Sequence, residues 1–245
     1  PPGREPERSA LLFCHRYQPT ATLAGDYFEI LPLSENEAGL FICDVMGHGV
    51  RAALVTAYLR GLIEELTPFA FEPGTFLTEI NRGLVNILKR TDTAMFASAC
   101  YLVADIAKER VEIANAGHPT PLLGHRKSGR VEPVRDLDRD QAIVLGLVED
   151  SAYTSFERSF GPGDVLLLYT DGVYEAESPD GEQFGEDRLE HVLRESLPLP
   201  VDRLCDCVMR SITDFAETED FGDDICIVTM EYAHAMADAQ TPREA

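Results

Sequence analysis

Residues 41–49 read Phe41-Ile42-Cys43-Asp44-Val45-Met46-Gly47-His48-Gly49. An apolar run carries a single aspartate into a glycine-flanked turn, the pattern of a buried strand that ends at a sharp bend. Three other segments also set aspartate where an apolar run meets a glycine turn, in either order: Ala24-Gly25-Asp26-Tyr27-Phe28, Leu166-Leu167-Leu168-Tyr169-Thr170-Asp171-Gly172 and Gly222-Asp223-Asp224-Ile225-Cys226-Ile227-Val228. In each, a carboxylate is tied to a run that buries itself. An ionised carboxylate taken out of water is costly unless it is paired or coordinates a cation. None of the four segments contains Lys or Arg. One such aspartate alone can simply cap a turn. Four together favour a shared cation site, and hard oxygen donors without a Cys/His set suit Mg²⁺ or Mn²⁺ rather than zinc.

Working outward, strand signals fall at about 11–18, 26–33, 38–45, 94–105, 110–116, 120–125, 153–160, 164–170 and 224–231. The stretch 94–104 is nearly free of charge, as a strand buried on both faces should be. Helical spacing predicts helices in four places. One carries Ala52, Val55, Leu59, Leu62, Ile63 and Leu66, and a second carries Phe76, Leu77, Ile80, Leu84, Ile87 and Leu88. The others lie at about 185–196 and 200–217. Strands in adjacent runs with short turns imply antiparallel pairing, and helices in two batches can cover two outer faces. The fold class expected is α+β: a four-layer α/β/β/α sandwich with two central antiparallel sheets flanked by helix pairs. One domain is expected over 10–232, between a flexible N-terminal segment (1–9) and a flexible C-terminal tail (233–245). The charged stretch 126–152 reads as an irregular connection or flap.

The 245 residues carry a formal net charge of −22, spread along the chain rather than gathered in one block. That argues against a nucleic-acid surface, which needs a basic stripe, and against anionic membranes. No apolar run is long enough to span a bilayer, and the N-terminus lacks a signal-peptide pattern. The six cysteines include no C-x-x-C pair, so a reduced, cytoplasmic protein is the simplest expectation. The chain begins without Met, which suggests a fragment.

Gly25-Asp26-Tyr27-Phe28, Asp44-Val45-Met46-Gly47-His48-Gly49, Asn115-Ala116-Gly117-His118-Pro119, Tyr169-Thr170-Asp171-Gly172 and Gly222-Asp223-Asp224 occur in that order. Together they resemble the metal-dependent PPM-type serine/threonine phosphatases (the protein phosphatase type 2C superfamily), in the SpoIIE/RsbU branch. The resemblance implies an α/β/β/α sandwich with two Mn²⁺ or Mg²⁺ ions at one end. It implies that Asp44 bridges both ions, that Asp26 and the Val45 backbone carbonyl help hold one, and that Asp171 and Asp223 hold the other. Asp224 is the less favoured ligand of its pair. Asp44 and Asp171 would then serve catalysis, a metal-bound water being the nucleophile. Two divalent ions about 3.5–4 Å apart can acidify a shared water and neutralise phosphate charge.

The resemblance further implies a phosphorylated protein substrate, in this branch a STAS-type anti-sigma-factor antagonist in a bacterial partner-switching pathway. It also implies an upstream sensor or regulatory domain outside this chain, acting through the helix pair at about 50–90. A homodimer is left open. The competing reading is a catalytically weak or inactive PPM-fold binding module, which would usually have lost one of Asp26, Asp44, Asp171 or Asp223.

Departures from the family pattern are few. Ala24 stands where the first motif usually has glycine, Glu29 where it usually has aspartate, and Cys226 where the last usually has threonine. The phosphate-gripping arginine of eukaryotic members has no counterpart in Thr20-Ala21-Thr22, leaving Arg16 as a candidate only if the fold brings it back. His48, in the glycine turn near Asp44, is a candidate to protonate the leaving oxygen. A packing role is the more economical reading of His48. His118 is expected to fix a strand-end turn. No Ser-His-Asp set, phosphatase Cys loop or P-loop is present.

Overall fold

The computed structural model describes residues 10–20, 23–91, 95–136 and 143–233. Among these residues ten strands form two five-stranded sheets in which all strand pairs run antiparallel. The first sheet takes β1 (Leu11–Gln18), β10 (Ile225–Tyr232), β9 (Asp164–Tyr169), β6 (Leu122–His125) and β7 (Arg130–Pro133), in that spatial order. The second takes β2 (Tyr27–Pro32), β3 (Glu37–Val45), β4 (Ala97–Asp105), β5 (Arg110–Ala116) and β8 (Phe156–Ser159). Helices α1 (Val50–Glu65) and α2 (Pro73–Thr91) cover the second sheet, α4 (Glu186–Ser196) and α5 (Val201–Ala216) cover the first, and a short α3 (Gly172–Glu175) follows β9. The four-layer sandwich expected from the sequence is the observed one.

Side chains alternate between faces along a strand, so each row has one destination. Phe41, Cys43 and Val45 face α1 and α2, in a layer with Leu59, Leu77, Ile80 and Leu84. Their neighbours Leu40 and Ile42 face the other sheet and meet Leu166, Leu168, Cys226 and Val228 between the sheets. The outer row of the first sheet, with Leu167, Ile225 and Ile227, packs on Leu189, Leu193, Leu204, Val208 and Ile212. Burying a leucine- or phenylalanine-sized side chain contributes about 1.5–3 kcal/mol, so these three layers dominate the stability.

Two elements differ from expectation. β7 lies inside the stretch read as irregular, where Arg130 and Glu132 mask a strand that buries Val131 alone at a sheet edge. The four-residue α3 is too short to show a helical period. The strand expected from 94 begins at Ala97. The expectations for 1–9 and 234–245, and for the part of the flap at 137–142, fall outside the described residues. Among the described residues, no helix is long and apolar enough to cross a membrane.

Candidate active site

The inward rows carry the acidic groups. Following Leu40 and Ile42, the next inward position on β3 is Asp44; preceding Cys226 and Val228 on β10, it is Asp224. Preceding Phe28 and Ile30 it is Asp26, and after Leu166 and Leu168 it is Thr170. The register puts these positions at one end: Tyr27 pairs with Cys43, Asp44 with Ser98, and Gln18 with Ile225. The period of two that fills the core with apolar residues thus delivers polar ones to its mouth.

Two glycines let the segments close in. A Cβ on Gly25 would stand 2.6 Å from the Val45 carbonyl oxygen, and one on Gly172 would stand 2.2 Å from that of Asp224. The Gly25 carbonyl accepts from the Val45 N–H at 3.3 Å. Hydrogen bonds then stitch the two sheets together. Thr170 Oγ1 donates to Asp26 Oδ2 at 2.6 Å and accepts from the Cys226 N–H at 3.0 Å. Asp224 accepts from the Gly25 N–H at 3.0 Å, and from the N–H and hydroxyl of Thr20 at 2.8 and 2.9 Å.

Asp26, Asp44, Asp171, Asp223 and Asp224 therefore occupy one end of the sandwich, with Glu175 beside them. None of them takes part in an ion pair among the described residues. Burial, and then the charges of Asp44, Asp224 and Asp171, push Asp26 up to about 9, against the opposing hydrogen bond from Thr170. Burial and the charges of Asp171, Asp223, Asp224 and Glu175 push Asp44 up to about 7. Asp171 is raised by burial and by Asp223. These are carboxylates held against their own repulsion. Among the described residues no three Asp, Glu, His or Cys side chains close into a compact ligand set. The donors are all hard oxygen, the type that fits Mg²⁺ or Mn²⁺.

Beside the carboxylates opens a cavity of about 420 Å³, lined by Asp44, Asp171, Glu186, Ser98, Met46 and Phe96 among others. His118 also lines it. The ring does not make the turn expected of it; Asn115 does, accepting from the His118 N–H at 2.8 Å and donating to its carbonyl at 3.0 Å. The buried ring contacts Ser98 Oγ through Nδ1 at 2.9 Å, and burial lowers its pKa to about 3. A neutral imidazole results. His48 is exposed and is not among the residues lining the cavity. Arg16 is not brought back to the site: its Nε donates to Asp206 on α5 at 2.9 Å. Sequence reasoning assigned no role to Thr170, Ser98 or Glu175. For Thr170 the signal was its place one residue before Asp171, on the inward row.

Comparison with known proteins gives the family. The sequence model described as stage II sporulation protein E (SpoIIE) matches residues 34–233. The chain belongs to the SpoIIE family. It is 29% identical over 216 residues to the phosphoserine phosphatase RsbP of Bacillus subtilis (strain 168), covering 88% of this chain and 51% of that protein. To the phosphoserine phosphatase RsbU of the same organism it is 28% identical over 163 residues, covering 66% and 46%. The chain thus spans about half the length of the curated relatives it matches. Among solved structures, the SiaA-PP2C domain of Pseudomonas aeruginosa superposes with a TM-score of 0.78 at 21% identity, covering 89% of this chain and 85% of that one. That likeness is one of fold.

Proposed function

We propose that this SpoIIE-family chain is a protein serine/threonine phosphatase that uses two Mn²⁺ or Mg²⁺ ions. The observation that carries the reading is a set of mutually repelling carboxylates, without basic partners among the described residues, at the mouth of a cavity. Asp44, Asp26 and the Val45 carbonyl are the groups proposed to hold one ion, and Asp44, Asp171 and Asp223 the other. Asp224 already accepts three hydrogen bonds from Thr20 and Gly25, which suits it to positioning the β10 end rather than ligation. When bound, the ions supply charge neutralisation for the phosphate and a water acidic enough to attack phosphorus.

The chain's own residues do the rest. Thr170 fixes the Asp26 carboxylate, and Gly25 and Gly172 keep the two sheet ends close enough to act on one substrate. Met46 and Phe96 give the cavity an apolar side on which the residues flanking a phosphoserine can rest. Among the described residues no Lys or Arg lines the cavity, so the phosphate charge falls chiefly to the cations. Arg135, ion-paired at 3.7 Å with cavity-lining Glu186 and largely exposed, is the basic side chain proposed to meet an incoming phosphate.

Relatedness to RsbP and RsbU, with the motif resemblance, supports a phosphorylated STAS-type anti-sigma-factor antagonist as substrate. The test is release of phosphate from a phosphoserine STAS protein and from p-nitrophenyl phosphate. Turnover is expected with Mn²⁺ and none in excess chelator. Full turnover after exhaustive chelation would sink the assignment.

A further inference from the structure

A second cluster of reactive side chains lies on the outer face of the first sheet, under α5. Cys14 on β1 pairs in register with Thr229 on β10. Thr229 Oγ1 lies 3.2 Å from Cys205 Sγ on α5 and donates to the Cys14 carbonyl at 3.2 Å. Cross-strand partners share a face of the sheet, so Cys14 stands beside Thr229 on the side that meets Cys205. Two residues along the same strand face, the Arg16 guanidinium donates through Nη1 to Cys14 Sγ at 3.1 Å, and through Nε to Asp206, the neighbour of Cys205. Cys14 is half-buried, Cys205 is fully buried, and both are free thiols.

We propose that Cys14 and Cys205 are a peroxide-oxidisable pair that forms a disulfide between β1 and α5. The Cys14 sulfur, more exposed and set against a fixed positive charge, attacks one oxygen of hydrogen peroxide. The O–O bond breaks, Cys14 becomes a sulfenic acid and the other oxygen leaves as water after taking up a proton. The Cys205 sulfur then attacks the Cys14 sulfur, and the sulfenic oxygen departs as a second water carrying the Cys205 proton. Two thiols are oxidised and one peroxide is reduced. Burial raises the Cys205 thiol to about 12, which disfavours it as the sulfur that meets peroxide first.

The bond joins the two segments that meet at Asp224. β1 leads into Thr20, which holds that carboxylate, and α5 leads into the loop carrying Asp223 and Asp224. The loop it closes is about 190 residues long, and bridges of that span raise the melting temperature of a domain this size by about 5–10 °C.

The experiment treats the reduced full chain with a few equivalents of hydrogen peroxide, blocks the remaining thiols and maps the peptides. A Cys14–Cys205 cross-linked peptide is expected, with two of the six thiols lost and regained on reduction. C205S is expected to stop at a dimedone-reactive sulfenic acid on Cys14, and C207S to leave the bridge intact. Finding both cysteines still alkylatable, Cys14 over-oxidised without a bridge, or either joined to another cysteine would overturn the proposal. The wild-type map needs no substitution, so a variant that fails to fold does not obscure the answer.

Discussion

The two ends of the β-sandwich hold their acidic groups in opposite ways. At the far end, Asp105 accepts two backbone N–H groups at 3.1 Å and pairs with Lys108 at 2.7 Å. Asp164 accepts from the Gly161 N–H at 2.8 Å and meets His125 at 2.7 Å, while Glu231 accepts from Arg126 at 2.9 and 3.0 Å. Burial works against Asp105, yet Lys108 and the backbone hold it below the usual carboxylate range. At the near end, Asp26 and Asp44 are pushed up and lack any cation among the described residues. Since one fold makes both ends, the unpaired one is not a failure of packing. These three far-end carboxylates are satisfied by the protein; the near-end set has no such partner among the described residues, and the ions of the proposed function would supply it.

The sharpest way to break this contrast is to neutralise one acid at each end. Asp44→Asn or Asp171→Asn is expected to lower kcat/KM for a phosphoserine protein by about 10³-fold or more, roughly 4 kcal/mol of transition-state stabilisation. Metal-free stability should hold or rise, because a repelling charge is removed. Asp164→Asn should do the reverse, leaving kcat/KM within about twofold while lowering the melting temperature. Equal losses of activity from the two ends would erase the distinction.

A smaller effect should come from the group that holds the near-end carboxylate without touching substrate. Thr170→Val removes the donor to Asp26 and the acceptor of the Cys226 N–H. Outer partners of this kind are worth about 10–100-fold in metal affinity, and the stranded N–H costs about 1–3 kcal/mol. Thr170→Ser should restore most of both, measured by Mn²⁺ titration and thermal melts. An unchanged Mn²⁺ affinity in Thr170→Val would remove Thr170 from the site.

The two ends should also answer pH with opposite sign. Asp26 and Asp44, at about 9 and 7 against an ordinary 3.8, bind protons more tightly in the folded than in the unfolded chain. Their contribution to metal-free stability is complete below 3.8 and is lost as pH rises through 7 and 9. Asp105, lowered when folded, contributes above 3.8 and loses that contribution on acidification. Melting curves in chelator should therefore fall from about pH 5 to pH 9, and Mn²⁺ should flatten the fall. A flat metal-free profile in wild type would count against unpaired near-end acids. Least of all is expected from Lys108→Ala: its half-exposed ion pair is worth under about 1 kcal/mol, because the turn N–H groups still hold Asp105.

Much of this contrast was legible in the residues. Apolar runs meeting tight turns at Asp44 and Asp26 named the strand ends, and apolar spacing named both helix pairs. What stayed hidden depends on three-dimensional neighbours. Nothing in Gly222-Asp223-Asp224 says which acid turns inward; the hydrogen bonds from Thr20 and Gly25 to Asp224 decide it. Arg16 looked available until α5 laid Asp206 against it. The charged residues of β7 masked its strand period, and the ring of His118 proved to hold Ser98 while Asn115 shaped the turn.

The most direct test is equilibrium Mn²⁺ uptake, followed by the electron paramagnetic resonance of free Mn²⁺, in wild type and in Asp44→Asn at one pH near 8. Two ions bound per wild-type chain with proton release, and loss of at least one in the variant, is the outcome predicted. Uptake that is absent in wild type, or identical in the two proteins, would contradict the claim that these acids are gathered to hold cations.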